Sequence, residues 1–339
     1  MSFMRFPVRP FQVSGKKNAA QILEELCSIS FQGRTLGQCF HVWKKMLEAP
    51  CMIFFGLAGA MVPAGLREVV AYLIDEHLVD CIVSTGANLF HDCYESLGRD
   101  HFQTSPHADD EMLRHEGLDR IYDTLAPEEG FRATDDYLRQ FAKGLDISYA
   151  YSTREFLYLL GEDLARSGSC EGILTTAYRQ SVPIYCPAIA DSSIAIALAA
   201  GSVALKFDLI KDVQETAGLA AAMNKSGVIY VGGGTPKNFI QQTQVTLSCM
   251  GEGKDGHSYA IQISTDAPHW GGLSGCTLEE AQSWGKIAME AEKVSCHCDA
   301  TIALPIIVEA LASAIRMGQK RVFSPEFVMG DTISVKNRE

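Results

Sequence analysis

The sequence predicts a doubly wound α/β fold, and three observations carry that reading. Apolar runs of strand length recur along the chain, most of them end in small or capping residues, and segments with one apolar face at helical spacing separate them. Strand, small-residue turn, helix, strand is a βαβ unit. The sheet is therefore expected to be mostly parallel, with helices on both faces and ligands at the carboxyl ends of its strands. At 339 residues the chain has room for one large domain or two small ones. No repeat, low-complexity segment or clear linker follows residue 20, so a single domain over 21–330 is the economical reading.

Residues 1–20, with scattered basic side chains and two prolines, read as an N-terminal arm. Ile22, Leu23, Leu26 and Cys27, then Val42, Met46 and Leu47, recur at helical spacing. Cys51-Met52-Ile53-Phe54-Phe55 is a strand that runs into the small-residue stretch Gly56 to Gly65. A helix follows, with Leu66, Val69, Val70, Leu73 and Ile74 on one face, and then a strand over Val79 to Val83 that breaks at Ser84 to Asn88. Residues 98–150 are polar and irregular, an excursion with short helices whose histidines at 101, 107 and 115 lack metal-binding spacing. Ser152-Thr153-Arg154-Glu155 has the form of a capping box opening a helix to about Arg166. Val182 to Ala190 reads as a strand closed by Asp191-Ser192-Ser193, where Asp191 is placed to cap the next helix. The remaining strands are Val203 to Phe207, Gly227 to Val231, Tyr259 to Ile263 and Val294 to Cys298.

Charge narrows the function. A net charge of -12 lacks the basic footprint of a nucleic-acid binder and suits a cationic substrate such as a polyamine. The start, Met1 to Phe6, has no apolar signal-peptide core, so the 11 cysteines are read as reduced thiols of a cytoplasmic protein. There is no CxxC pair, and Cys296-His297-Cys298 falls in an alternating strand pattern, so no metal is expected. No apolar run approaches the roughly 18 residues that read as a membrane span.

Three segments carry candidate chemistry. Gly232-Gly233-Gly234 is a strand-to-helix turn, with Thr235 placed as N-cap and Pro236 as the first helical residue. Such a turn lets backbone N–H groups approach a phosphate or dinucleotide, though packing alone also explains it. Ser264 to Gly275 is a second glycine-rich loop, leading into Thr277 and Glu280 at capping-box spacing. Lys286 follows Trp284-Gly285 in a mostly apolar segment that reads as a helix, with the lysine near its middle. A desolvated amine there is a nucleophile rather than a surface charge. A solvated helix lysine is the competing reading.

Ser283-Trp284-Gly285-Lys286-Ile287, Gly232-Gly233-Gly234 with Lys237, Gly65-Leu66-Arg67-Glu68, and Asp299-Ala300 followed by Pro305, together and in this order, resemble deoxyhypusine synthase. The likeness runs from about residue 40 to about residue 315. The resemblance implies a Rossmann-like NAD-binding catalytic domain and a homotetramer with active sites between paired subunits. In the family's chemistry a polyamine, usually spermidine, gives up hydride to NAD, and an active-site lysine holds the aminobutyl group as an imine until an acceptor amine displaces it. By position, the resemblance makes Lys286 that nucleophile, with Trp284, Glu280 and Gly271 at the polyamine channel. It places NAD against Gly59, Thr85, Gly86, Ala87, Asp191, Gly233, Thr265, Asp299 and Ala300.

The same resemblance exposes departures. Ile196 and Leu273 stand where the family has acidic residues that grip spermidine's amines, and Trp270 stands at a further aspartate position. Asn238 replaces a histidine beside the substrate, and His91 a glutamate near the nicotinamide. The expected function is therefore NAD-dependent aminobutyl transfer to a small amine, giving homospermidine or a related polyamine. The alternatives are deoxyhypusine synthase proper, with a lysine of the hypusine-containing translation factor as a protein acceptor, and an inactive NAD-binding regulatory paralogue.

Overall fold

The computed structural model describes residues 6–168 and 170–336. Of the expected N-terminal arm, residues 1–5 lie outside the described residues, and a first helix opens at Ala19, capped by Asn18. Six strands carry the α/β core: β1 (Cys51–Leu57), β2 (Cys81–Ser84), β3 (Ile184–Tyr185), β4 (Lys225–Val231), β5 (His257–Ile263) and β6 (Ile287–Cys296). The helices that bear on function are α1 (Phe31–Leu47), α2 (Arg67–Asp75), α3 (Gly86–Ser96), α4 (Glu128–Lys143), α5 (Thr153–Arg166), α6 (Ser193–Ala200), α7 (Gly234–Cys249), α8 (Leu278–Ser283) and α9 (Ala300–Arg316). The fold is a mixed α/β architecture of parallel strands and covering helices.

Backbone contacts divide the described chain into two compact units. The first holds the described residues up to Gly56 together with Leu78–Asp80 and Ala217–Pro325. Its strands run in the order β6-β5-β4-β1, with Ile261 of β5 paired in parallel to Ile229 of β4 and Val294 of β6. Every residue of β1 is buried, as its unbroken apolar run requires. On α1, Phe40 and Trp43 are fully buried, and the Trp43 indole donates to the Leu78 carbonyl at 3.2 Å. Asp80 accepts both from the Ile53 amide (2.7 Å) and from Arg321 (2.6 and 2.8 Å).

The second unit holds Leu57–His77, Cys81–Thr216 and the described residues from Glu326 onward. β2 pairs in parallel with β3 through Ile82–Ile184 and Val83–Tyr185. The expected strand over Val182 to Ala190 shortens to two residues because Pro183 and Pro187 flank it and cannot donate to a ladder. The expected strand Val203 to Phe207 shortens likewise to Lys206–Phe207, which pairs with Ala150–Tyr151 in a separate small sheet. The polar excursion is more regular than its composition suggests. It builds a three-stranded antiparallel sheet from Phe102–Gln103, Leu118–Ile121 and Thr124–Pro127, and the 16-residue helix α4, whose buried Thr134, Leu138 and Ala142 are four residues apart. The Ser152 capping box forms as expected, with the Ser152 hydroxyl and the Glu155 carboxylate each accepting a backbone N–H.

Among the described residues no helix is long and apolar enough to cross a membrane.

Candidate active site around Lys286

The structure corrects the helix expected at Lys286. α8 ends at Ser283, Trp284 is its C-cap, and Gly285 takes the left-handed conformation at φ 68. The Lys286 amide donates to the Ala281 carbonyl (3.1 Å) and the Gly285 amide to that of Gln282 (3.0 Å). These paired bonds are a Schellman motif, and Gly285 is its left-handed stop, the role glycine fills because it has no Cβ. The Lys286 carbonyl in turn accepts from the His257 amide at 3.1 Å. Lys286 thus sits in the turn between α8 and β6, its backbone tied on one side to a helix end and on the other to the start of β5.

Its side chain enters a cavity of about 210 Å³ lined by Asn238, Gly271, Leu273, Glu280 and Trp284 among others. Five of the residues expected at the polyamine channel therefore meet the expected nucleophile in one cavity. The Lys286 amine donates to Asn238 Oδ1 at 3.2 Å and lies 5.5 Å from the centre of the Trp284 ring. Trp284 is 66% exposed, so within this chain the indole offers its face to the amine rather than burying it. An indole face attracts an ammonium, which is a different effect from the desolvation expected. Glu280 is the one carboxylate on this lining. Its amide is capped by the Thr277 hydroxyl at 3.0 Å, as the capping spacing indicates. Trp270, at 75% exposure, lies in the turn Pro268–Trp270 outside this lining.

A second lysine, quoted in the sequence only as part of a motif, completes the cavity. Lys237 on α7 is 1% exposed. Its amine donates to Gln262 Oε1 at 2.9 Å and to the Cys276 carbonyl at 2.5 Å. Burial is the main cause that pushes it down to about 8; Cys276 and Glu280 oppose the shift and Lys286 adds to it. A lysine lowered in the folded state binds fewer protons there than in the unfolded chain between about pH 8 and its ordinary value. The stability lost by burying the charge is fully lost below that window and regained as pH rises through it. Urea-unfolding free energy should therefore climb from pH 8 to pH 10 relative to Lys237→Met, by on the order of 2 to 3 kcal/mol. A difference curve flat with pH would show that the amine is not buried as a cation.

The residues expected to hold NAD fall in both units. In the first, Gly233 is the N-cap of α7, Thr265 follows β5, and Asp299 caps α9 ahead of Ala300. α7 starts at Gly234, so Thr235 is not its cap. Gly232 (φ 73) and Gly234 (φ 55) are left-handed, and no side chain caps the helix. A Cβ on Gly233 would lie 2.3 Å from Ser274 Cα, so the two glycine-rich segments are in direct contact. Gln262 ties them, donating to Gly232 O (3.0 Å) and Ser274 O (2.7 Å). Asp299 Oδ1 accepts from the Thr301 amide (2.8 Å) and hydroxyl (2.5 Å). In the second unit Thr85 is the N-cap of α3, but its hydroxyl donates to Gly59 O at 2.8 Å and leaves the helix end uncapped. Gly86 and Ala87 form the first turn of α3. Asp191 is exposed and does not cap α6; Ser192 does, because its hydroxyl is one residue nearer the helix and meets the Ala195 amide.

Two expected substrate residues lie in the second unit. Ile196 on α6 is 63% exposed. His91 on α3 is buried, with Nδ1 2.9 Å from His101 Nε2, and burial, followed by the nearby His101, pushes it down to about 4.

With this geometry established, comparison with known proteins is decisive. The family model described as "DS: Deoxyhypusine synthase" matches residues 21–311. The chain belongs to the deoxyhypusine synthase family. It is 49% identical over 314 residues, 91% of this chain and 90% of the relative, to "Probable deoxyhypusine synthase 2" of Methanosarcina acetivorans. The same organism's "Probable deoxyhypusine synthase 1" is 37% identical over 312 residues, 91% of this chain and 95% of that relative. Among solved structures, "Crystal Structure of a putative deoxyhypusine synthase from Entamoeba histolytica" aligns at TM-score 0.63 and 18% identity, covering 94% of this chain and 99% of that one. That likeness shows the fold.

Deoxyhypusine synthases are transferases, and membership gives the cavity around Lys286 its setting. Lys237, Gln262 and Cys276 were not foreseen as site residues. A buried lysine directly after Thr-Pro, at the first turn of a helix that leaves a glycine turn, is the signal that could have found the first of them.

Proposed function

We propose that the chain is an NAD-dependent transferase that moves an aminobutyl-type group from a polyamine, through an imine on Lys286, to a small acceptor amine. One observation carries the reading. The lysine amine stands in a cavity beside an indole face and a carboxamide, where two lysines face a single carboxylate, Glu280. A carboxylate-poor lining is a weak grip on a dication, because each charge-assisted hydrogen bond that is missing costs affinity. By the family resemblance NAD would contact Gly233 at the uncapped end of α7, where free N–H groups favour an anion, and Thr265, Asp299 and Ala300 of the same unit. When bound it would take up hydride from the donor and give that hydride back to the product imine, so that the transfer is redox-neutral overall.

The chain's own residues do the rest. Asn238 Oδ1 accepts one N–H of Lys286 and orients its nitrogen. Lys286, once neutral, attacks the imine carbon of the oxidised donor; the C–N bond to the donor's leaving amine breaks, and that amine departs with a proton. Displacement by the acceptor amine returns Lys286 free. Trp284 and Leu273 supply the apolar wall along the four-carbon chain. Assembly as a homotetramer in the cytoplasm, with sites completed between subunits, follows from the family resemblance. The second reading, transfer to a lysine of the hypusine-containing translation factor, is favoured by the relatives' names.

The enzyme is tested by incubation with NAD and putrescine, agmatine or spermidine, followed by mass spectrometry. A new polyamine is expected; label from spermidine appearing instead in the translation factor selects the second reading. Leu273→Asp should lower KM for spermidine about tenfold while changing that for putrescine less, since a second carboxylate favours the higher charge. Equal effects on both donors would remove Leu273 from the amine contact.

A further inference from the structure

Lys286 meets the sheet at one end of an interrupted strand, and a buried histidine outside the cavity lining stands behind that junction. β6 pairs with β5 at Ile287, opposite His257, and does not rejoin the ladder until Glu292, opposite Tyr259. Residues 288–291 bulge out between the two, drawn back toward α8 by the Gln282 amide, which donates to the carbonyls of Ala288 (2.7 Å) and Met289 (3.0 Å). The register of the main ladder therefore does not carry through to Lys286. What reaches it is the His257 amide, 3.1 Å from the Lys286 carbonyl.

The His257 imidazole is fully buried and joins its own strand to three other elements. Nδ1 is 2.7 Å from the Ser226 hydroxyl of β4, Nε2 is 3.3 Å from the Ile240 carbonyl and 3.5 Å from the Thr243 hydroxyl of α7, and the ring lies 6.0 Å from that of Phe54 on β1. Burial, opposed by the Ile240 carbonyl, pushes the ring down to about 4, so it is neutral at physiological pH. A carbonyl only accepts, and the Thr243 hydroxyl already donates to this one at 2.7 Å. The ring hydrogen is therefore on Nε2, and Nδ1 accepts from Ser226.

These bonds couple two sides of the cavity. α7 carries Asn238, two residues before Ile240, and Asn238 Oδ1 accepts from the Lys286 amine at 3.2 Å. Lys286 is thus held at its amine by α7 and at its carbonyl by β5, and His257 is the side chain that bonds α7 to the start of β5.

We propose that His257 is a positioning residue for Lys286, its imidazole fixing α7 against the start of β5 and so setting the separation of the Asn238 carboxamide from the Lys286 amine. The proposal rests on the transferase reading for its catalytic consequence, while its geometry is independent of that reading. A histidine that only fills the core affects folding alone. A positioning one also governs how well the amine is aimed at the bound donor, where a misplacement of about 1 Å can cost about a hundredfold.

The full-length protein with NAD supplied tests it. His257→Phe keeps a ring beside Phe54 but removes both hydrogen bonds. It should slow single-turnover formation of the borohydride-trapped adduct on Lys286 by about tenfold or more at saturating putrescine or spermidine, with KM changed less than about twofold. His257→Gln, whose amide can still donate to the Ile240 carbonyl, should recover most of that rate. Leu23→Ala, a buried truncation in the helix Ala19–Leu26, should destabilise the fold yet trap at the wild-type rate. A folded His257→Phe that traps as fast as wild type overturns the proposal, as does a rate loss that Leu23→Ala reproduces. ¹⁵N NMR of histidine-labelled wild type needs no folded variant: hydrogen is expected on His257 Nε2, and an Nδ1–H ring overturns the proposal. Crystal structures of wild type and His257→Phe without amine should show the Asn238–Lys286 bond present in the first and broken in the second; an unchanged separation overturns the assignment. If wild type traps no adduct with either amine, the transfer reading fails, and the two structures still decide the role of His257.

Discussion

Lys286→Ala should lose the substrate adduct altogether. Treating wild type with NAD, a polyamine and borohydride should add the mass of the reduced aminobutyl-type group to the peptide that contains Lys286, and the alanine variant should gain none. Turnover should fall by at least about a thousandfold, because no other group in the cavity offers a nitrogen at that place. Lys237 cannot substitute: its amine is held against Gln262 and the Cys276 carbonyl. Lys286→Arg should be equally silent, since a guanidinium does not lose its proton in proteins. Stability should change by less than about 1 kcal/mol, because the side chain is half-buried and makes one hydrogen bond and one ring contact. An adduct that persists in Lys286→Ala would move the covalent step to another residue.

Arg154→Ala should be the costliest single truncation for folding. Arg154 and Glu215 are each 1% exposed at the side chain and paired through two bonds, 2.7 and 2.9 Å. Arg154 also donates to the carbonyls of Gly330 (3.0 Å) and Asp331 (3.3 Å), in the turn of the hairpin Phe327–Met329 and Ile333–Val335. Removing it leaves a buried carboxylate and two carbonyls without their donor. Such uncompensated charge costs about 3 to 5 kcal/mol. Arg154→Met with Glu215→Gln should lose much less, because the pair is then neutral and the amide oxygen still accepts from Tyr185, 3.0 Å from Glu215 in the native chain. Urea unfolding of the three proteins measures both values, and equal losses would mean that the pair acts by packing rather than charge.

The order of strands and helices was legible wherever one face of an element is buried, as for β1, β4 and β5, because burial writes itself into apolar runs. It was not read in residues 98–150, where the short strands are half-exposed and the four-residue spacing of Thr134, Leu138 and Ala142 in α4 is masked by a polar overall composition. Within the site, the grouping of Lys286 with Trp284, Glu280, Asn238, Gly271 and Leu273 followed from family likeness. Spacing could not supply it, since α7 and α8 are brought together by the sheet. The helix read through Lys286 shows a different failure. Apolar residues on both sides of Trp284-Gly285 mimic continuity, and the stop is set by one glycine's backbone conformation, which periodicity does not record. The contact of His91 with His101 was hidden for a further reason, because His101 lies in an irregular segment after α3.

The Schellman turn at Gly285 has a bearing on how such an enzyme diverges. Every bond that holds the Lys286 backbone is made by main-chain atoms, those of Ala281 and His257. The side chains that surround its amine take no part in holding that backbone. Leu273 and Glu280 are therefore free to be exchanged over evolutionary time, or in a directed library, without moving the Lys286 backbone from its address, and an exchange of Asn238 alters only the amine's one hydrogen bond. A chain built this way can inherit its chemistry intact while its choice of substrate drifts.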